Sequence, residues 1–244
     1  KGQTLSRLFC LFRELQAPVN PYSTCKPESP DFIAPFPRTG PGRGLWTASP
    51  VSTRSNGNPE YFERLHGFLS LASEYGVIVE VVLFSNTYGD HIWALNPLNP
   101  VNNITLDDSL SVKWQEYMCC RHQPILDWQR AHARKIVEET NQYDNIVYEI
   151  CNEPGSFLPS EENLPDAGEV NAWQNQFIDL VRQTEAKLPQ QHLIAGQEAF
   201  TYAPWEQPSD KTFGELGFDI VNMHPLPNTT FAGTGYDMGT FMSK

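Results

Sequence analysis

The chain has 244 residues, 40% of them hydrophobic and 19% charged, a balance that fits a folded globular protein and excludes a disordered one. Its formal net charge of −12 argues against a polyanionic partner such as nucleic acid, and no run of basic residues offers one a grip. No apolar stretch approaches the ~18–20 residues that a membrane span needs, since the longest, residues 77–84, is interrupted by Glu80. The chain opens on Lys1 with no signal peptide visible, as a mature, trimmed or fragmentary chain would.

In chain order, residues 4–12 (TLSRLFCLF) have the apolar character of a buried strand. Residues 16–59 are rich in Pro, Gly and Ser without a steady period, which predicts a long loop of functional type. Over residues 61–75 the spacing of Phe62, Leu65, Phe68, Leu69 and Ala72 predicts a helix that Gly76 ends. VIVEVVLFS (77–85) follows as a strand buried on both faces. A second loop, 86–108, carries NPLNPVNN, and residues 114–143 read as one long helix broken near Pro124. NIVYEIC (145–151) is a third strand and residues 168–188 a further helix. Residues 192–196 and 218–224 (FDIVNMH) are two more strands, with a short helix expected at 211–216 between them.

Strands that alternate with helices and are continuously apolar predict a parallel sheet covered by helices. An eight-stranded βα barrel takes ~250 residues. A doubly wound open sheet satisfies the same periodicity, but its usual nucleotide turn, GxGxxG or GxxxxGK[ST], follows no strand here, which favours the α/β barrel.

In such barrels the chemistry sits at the carboxyl ends of the strands. Ser85 and Asn86, Asn152 and Glu153, Gln197 and Glu198, and His224 all fall there. Strand ends are wet and carry polar residues for that reason alone, so the clustering needs a sharper signal. The stretch NIVYEICNEP supplies one, because it runs an apolar strand directly into Asn152, Glu153 and Pro154.

That stretch resembles the fourth strand of the clan A glycoside hydrolases, the superfamily around the family 5 cellulases and mannanases. The resemblance implies a (β/α)8 TIM barrel, a retaining glycosidase acting on β-linked sugars, and Glu153 as its general acid/base. A carboxylic acid can protonate the leaving sugar oxygen, and an amide beside it can hold the neighbouring sugar hydroxyl, which implies that role for Asn152. NPEYFERLHGFLSLASEYGVIVEVVLFS (58–85) is similar to the second helix and third strand of these enzymes, while PFPRTGPG (35–42) and WALNPLNPVNN (93–103) look like their substrate-side loops. TLSRLF resembles the second strand, which implies that Arg7 orients the nucleophile carboxylate. DIVNMHP resembles the sixth, with His224 in the floor of the site. Residues 1–244 would then be one catalytic (β/α)-barrel domain holding strands two to six. The nucleophile, at the end of strand seven in this clan, is expected beyond Lys244.

Each candidate has a plainer role to set beside this one. Glu149 shares the strand parity of Glu153 and is expected to be a hydrogen-bond hub inside the barrel, since a buried carboxylate needs partners. Glu198 is the in-chain carboxylate best placed to stand in for a nucleophile. His91, Trp93 and Trp205 are candidates for substrate subsites, or else packed loop residues; His122 and His132 read as helix residues. No group has metal-ligand spacing such as HExxH, so neither metal nor cofactor is expected.

The five cysteines fit neither a disulfide framework nor a zinc site, although Cys10 and Cys25 could pair. That pair and the sequons at Asn103 and Asn228 lean towards a secreted or periplasmic setting. The expected partner is a carbohydrate, with no nucleic acid and no membrane. The alternative is a barrel that binds carbohydrate without cleaving it. An aldolase or metal-dependent hydrolase would need a Schiff-base lysine or a metal cluster at the strand ends, and the sequence offers neither.

Overall fold

The computed structural model describes residues 2, 4–11, 33–36, 57–94, 96–155, 163–199 and 215–222. Among them, five strands form one sheet: β1 (Leu5–Phe9), β2 (Ile78–Ser85), β3 (Ile146–Asn152), β4 (Ile194–Gly196) and β5 (Ile220–Val221). The order is β1-β2-β3-β4-β5 and every neighbouring pair is parallel. Strands that simply follow one another form an arc of a (β/α)8 barrel; a doubly wound sheet reverses its order at a switch point. The sheet is also curled. Asn222, just past β5, donates from Nδ2 to Glu80 Oε1 on β2 at 2.6 Å. In a flat sheet those strands would lie about 14 Å apart, three strand spacings.

Helix α1 (Pro59–Glu74) begins at Asn58, whose side chain accepts from Glu60 N at 3.2 Å with Pro59 in the first turn. It buries Phe62, Leu65, Leu69 and Ala72, and it ends where Gly76 takes φ +68° as expected. α2 (Asp90–Trp93) is a single turn. The expected long helix divides earlier than Pro124: a 3-10 turn (Trp114–Met118) is followed by non-helical residues 119–122 and then by α3 (Gln123–Thr140). Pro124 sits in the first turn of α3, where its missing N–H is not needed, so it opens a helix and does not break one. α4 (Ala167–Glu185) is closed at its start by a reciprocal pair: Asp166 Oδ1 accepts from Glu169 N and Glu169 Oε2 from Asp166 N. Most of the expected helix at 211–216 lies outside the described residues.

The helix layer packs on the sheet through aromatic rings. Phe84 meets Phe177 at 4.8 Å and Trp173 at 5.3 Å between centroids, with Tyr117 beside them. All four are fully buried, each contributing roughly 2–3 kcal/mol by transfer from water. Gln129 joins α3 to this cluster, its Oε1 accepting from Trp173 Nε1 at 3.0 Å and its Nε2 donating to Tyr117 O at 2.8 Å.

Loop 86–108 is built on asparagines. Asn99 Nδ2 donates to Trp93 O, Asn102 Nδ2 to Ala94 O and Asn96 O, and Asn103 Nδ2 to Pro97 O. Asn103 is 1% exposed and its Oδ1 accepts from both the N and the Oγ1 of Thr105. The sequon therefore works as an internal turn, and a glycan on Asn103 would break it. Cys10 is a buried free thiol whose pKa is pushed up to about 12 by burial, against the lowering effect of a Tyr61 hydrogen bond. The pairing considered for it is not formed, and Cys25 lies outside the described residues.

Candidate active site

Charge inside the barrel is concentrated around Arg7. On β1 it is the register partner of Glu80 on β2. Its Nε lies 2.8 Å from Glu80 Oε2, and its Nη2 donates to Glu149 on β3 and to Asn152 Oδ1 at 3.1 Å. Glu149 is fully buried and Glu80 nearly so. Two carboxylates in the barrel interior are tolerable because a guanidinium stands between them and Asn222 donates to Glu80. Glu149 is thus a buried structural carboxylate paired with Arg7, and the hub is Arg7 itself.

Parity alone does not explain the rest. Strict alternation would send Glu149 and Asn152 to opposite faces of β3, yet both meet Arg7 Nη2. The alternation is interrupted at Cys151, whose Sγ lies 3.7 Å from Met118 Sδ in the helix layer. Its register partner on β2, Phe84, likewise packs on α4. After that step Asn152 returns inward.

The strand ends at Glu153 because the backbone turns left-handed there, at φ +50°, and Pro154 has no N–H to continue a ladder. A side chain at positive φ costs of order 1–3 kcal/mol and persists only where its surroundings hold it. Asn86, past the end of β2, does so. Its Nδ2 donates to Glu153 O at 2.8 Å and to Gly155 O at 2.7 Å, the carbonyls on either side of Pro154. Asn86 Oδ1 accepts from Tyr88 N at 3.1 Å, and Tyr88 also stands at positive φ, +57°. The Tyr88 hydroxyl donates to Glu153 Oε2 and accepts from Asn152 Nδ2 at 2.7 Å. Glu153 is half-buried. The result is a carboxyl held at a strand end by a phenol, with an amide beside it: a group positioned to give and take a proton.

Of the other candidates, Trp93 is 5% exposed, its Nε1 donates to Val112 O at 2.8 Å and its ring packs 5.7 Å from Tyr117. At that burial its ring faces are covered by protein, so it stands as a packed loop residue. His91 is exposed on α2 and makes no hydrogen bond to Arg7, Asn152 or Glu153. His132 is packed against Phe36 and Phe84, its pKa lowered to about 4 by burial against a Leu83 carbonyl that raises it. His122 occupies the position before α3 without a side-chain bond to the helix, its Nε2 3.5 Å from Glu116 Oε1. Trp205 and His224 lie outside the described residues.

Gln197, at the end of β4, is 4% exposed, and neither amide atom of its side chain has a hydrogen-bond partner among the described residues. Glu198 follows it. Two participants escaped the sequence reading. Glu80 announces itself only as a charge inside an apolar strand, and its partner depends on a register that one sequence does not give. Tyr88 lies in NTYGD, where Asn86 and Gly89 mark a turn but nothing marks the phenol's target.

The family model for cellulase (glycosyl hydrolase family 5) matches residues 45–235. No curated protein matches the chain. Among solved structures, endoglucanase Cel5A from Thermotoga maritima is similar over 82% of this chain and 52% of its own, at 13% identity and a TM-score of 0.43. Endo-glycoceramidase II from Rhodococcus sp. is similar over 59% of this chain and 36% of its own, at 16% identity and a TM-score of 0.42. The chain thus spans about half or less of the length of these structures.

Proposed function

The chain belongs to the cellulase family, glycosyl hydrolase family 5, and from that premise we propose that it is a glycosidase that cleaves β-linked sugars with retention. Residues 1–244 would be one (β/α)8-barrel catalytic domain holding barrel strands two to six. Glu153 is the general acid/base: it protonates the leaving sugar oxygen, then takes a proton from the water that releases the sugar from the enzyme. Asn152 offers its amide to the hydroxyl beside the reacting carbon. Arg7 holds that amide in place and keeps the Glu80 and Glu149 carboxylates balanced below it. The second carboxylate, about 5 Å from the first in a retaining enzyme, is expected outside the described residues. Gln197, with both amide atoms unpartnered among the described residues, suits a sugar hydroxyl at the carboxyl end of β4.

The observation that carries this reading is the placement of Glu153. A half-buried carboxyl stands in a costly backbone conformation at a strand's carboxyl end, joined to Asn152 through one phenol. The test is Glu153→Gln in the native polypeptide, assayed on β-glucans, mannans, xylans and aryl glycosides. Turnover of natural glycosides should fall by roughly 10²–10⁴ with the thermal midpoint kept. A variant as active as its parent defeats the assignment. A parent that binds sugars tightly and cleaves none would make the domain a binding barrel.

A further inference from the structure

We propose that Tyr88 is a positioning residue for the acid/base, the third link of a one-way chain of hydrogen-bond donors running Arg7 to Asn152 to Tyr88 to Glu153. This rests on Glu153 being the proton-transferring group proposed above.

Chemistry fixes the direction of the first two steps, and the third holds while the Glu153 carboxyl is ionised. A guanidinium has no acceptor, so the Asn152 atom facing Arg7 Nη2 at 3.1 Å must be Oδ1. Nδ2 is then turned towards Tyr88, at 2.7 Å. An amide NH2 only donates, so the phenol oxygen accepts, and its own hydrogen goes to Glu153 Oε2. Donor bonds in series polarise one another, so part of the Arg7 charge is felt at Glu153 without a direct contact.

The backbone shares this design. Three non-glycine residues among those described stand at positive φ, and two of them are Tyr88 and Glu153, which hydrogen-bond to each other. One side chain ties both turns, since Asn86 accepts from Tyr88 N and donates to Glu153 O. Two costly conformations clamped by one amide are hard to explain as loop packing, because a relaxed turn would pack as well.

A hydroxyl that donates to a carboxylate favours its charged form, so losing the hydroxyl makes the carboxyl keep its proton to higher pH. Among the described residues, the other titratable groups on these strands and at their ends include Cys151 on β3, a thiol that burial raises well above its usual range, Arg7 on β1, Glu80 on β2, Glu149 on β3 and Glu198 past β4. None of them is altered by removing the phenol oxygen.

The experiment is Tyr88→Phe in the native polypeptide, with two readouts. One is the pH dependence of kcat/KM on aryl glycosides with poor leaving groups. The other is a carbon-13 carboxyl titration, with the Glu153 resonance identified by its loss in Glu153→Gln. The alkaline limb and the carboxyl midpoint should both move up by roughly half to one pH unit, and kcat/KM at the optimum should fall about tenfold. A loss of rate with limb and midpoint unmoved would reduce Tyr88 to a structural residue and overturn the proposal. If Tyr88→Phe does not fold, 3-fluorotyrosine at position 88, with the same ring and a more acidic phenol, must move both readouts down; no movement overturns the proposal equally. The titration needs no turnover. A parent inactive on every glycoside therefore defeats the glycosidase reading, while the titration still decides the hydrogen-bond chain.

Discussion

Two buried polar networks in this protein look alike in composition and differ in how they end. The first joins α4 to the start of β4. Glu185 Oε1 accepts from Asn141 Nδ2 at 2.8 Å and pairs with His192 Nδ1 at 2.6 Å, while its Oε2 accepts from His192 N at 2.9 Å. His192 Nε2 meets Tyr143 O, and Asn141 exchanges bonds with the backbone of residue 190. Each named polar atom is occupied and the network closes on itself. The second starts as firmly, with Arg7 between Glu80 and Glu149, but it runs outward through Asn152 and Tyr88 to a half-buried carboxyl. A closed network holds the fold together. An open one delivers a group to the mouth of the barrel, and two of the three non-glycine residues at positive φ among those described, Tyr88 and Glu153, are found there, with none in the closed network.

The contrast can be broken at several points. The largest stability effect is expected from Arg7→Met. It would leave two carboxylates in the barrel interior without their counter-ion, at about 3–5 kcal/mol by chemical denaturation, and would remove activity as well. A change smaller than 1 kcal/mol would mean that the Arg7 cluster is not the anchor of the open network.

Glu185→Gln should cost less, about 1–3 kcal/mol, and leave kcat unchanged. It also carries a pH signature. Burial works to lower the His192 pKa, but the Glu185 hydrogen bond, the Tyr143 carbonyl and the charges of Glu185 and Asp144 outweigh it and raise it above 6.5. A histidine raised on folding adds stability that is complete below its unfolded pKa and is lost as pH climbs through the folded one. The parent should therefore lose stability as pH rises above about 6.5, and Glu185→Gln should flatten that slope. An unchanged slope would show that the pair does not titrate as one unit.

The smallest effect separates function from stability within one residue. Gln197→Met removes a buried amide whose two polar atoms have no hydrogen-bond partner among the described residues, so unfolding free energy should stay level or rise by up to ~1 kcal/mol. Substrate affinity should drop by roughly tenfold. A variant that loses stability and keeps affinity would place Gln197 among the packing residues.

Much of the fold is legible in the sequence, because burial on both faces leaves little choice of composition. IVEVVLFS and IVYEICN could only be inner parallel strands, and Gly76 could only close the helix before the first of them. The placement of Asn152 and Glu153 together at a strand's carboxyl end was legible for a related reason: an apolar run leads directly into a carboxyl and a proline. What stayed hidden depends on contacts between distant segments. The register that pairs Arg7 with Glu80 and the inward step after Cys151 are properties of packed strands. Trp93 looks like a sugar platform in sequence because a loop tryptophan and a core tryptophan share the same letters, and only its burial distinguishes them. Pro124 fits either a broken helix or the first turn of a new one, and the non-helical residues before it decided the matter.

The central claim is that Glu153 moves the proton, and Glu153→Ala tests it most directly when assayed on an activated aryl glycoside with and without azide. With the carboxyl gone, a small anion can attack the sugar carbon of the covalent intermediate, releasing the enzyme's nucleophile and needing no base. The account predicts that azide restores turnover and yields a glycosyl azide with the anomeric configuration of the substrate. Turnover unchanged by azide, with the protein folded, would contradict it.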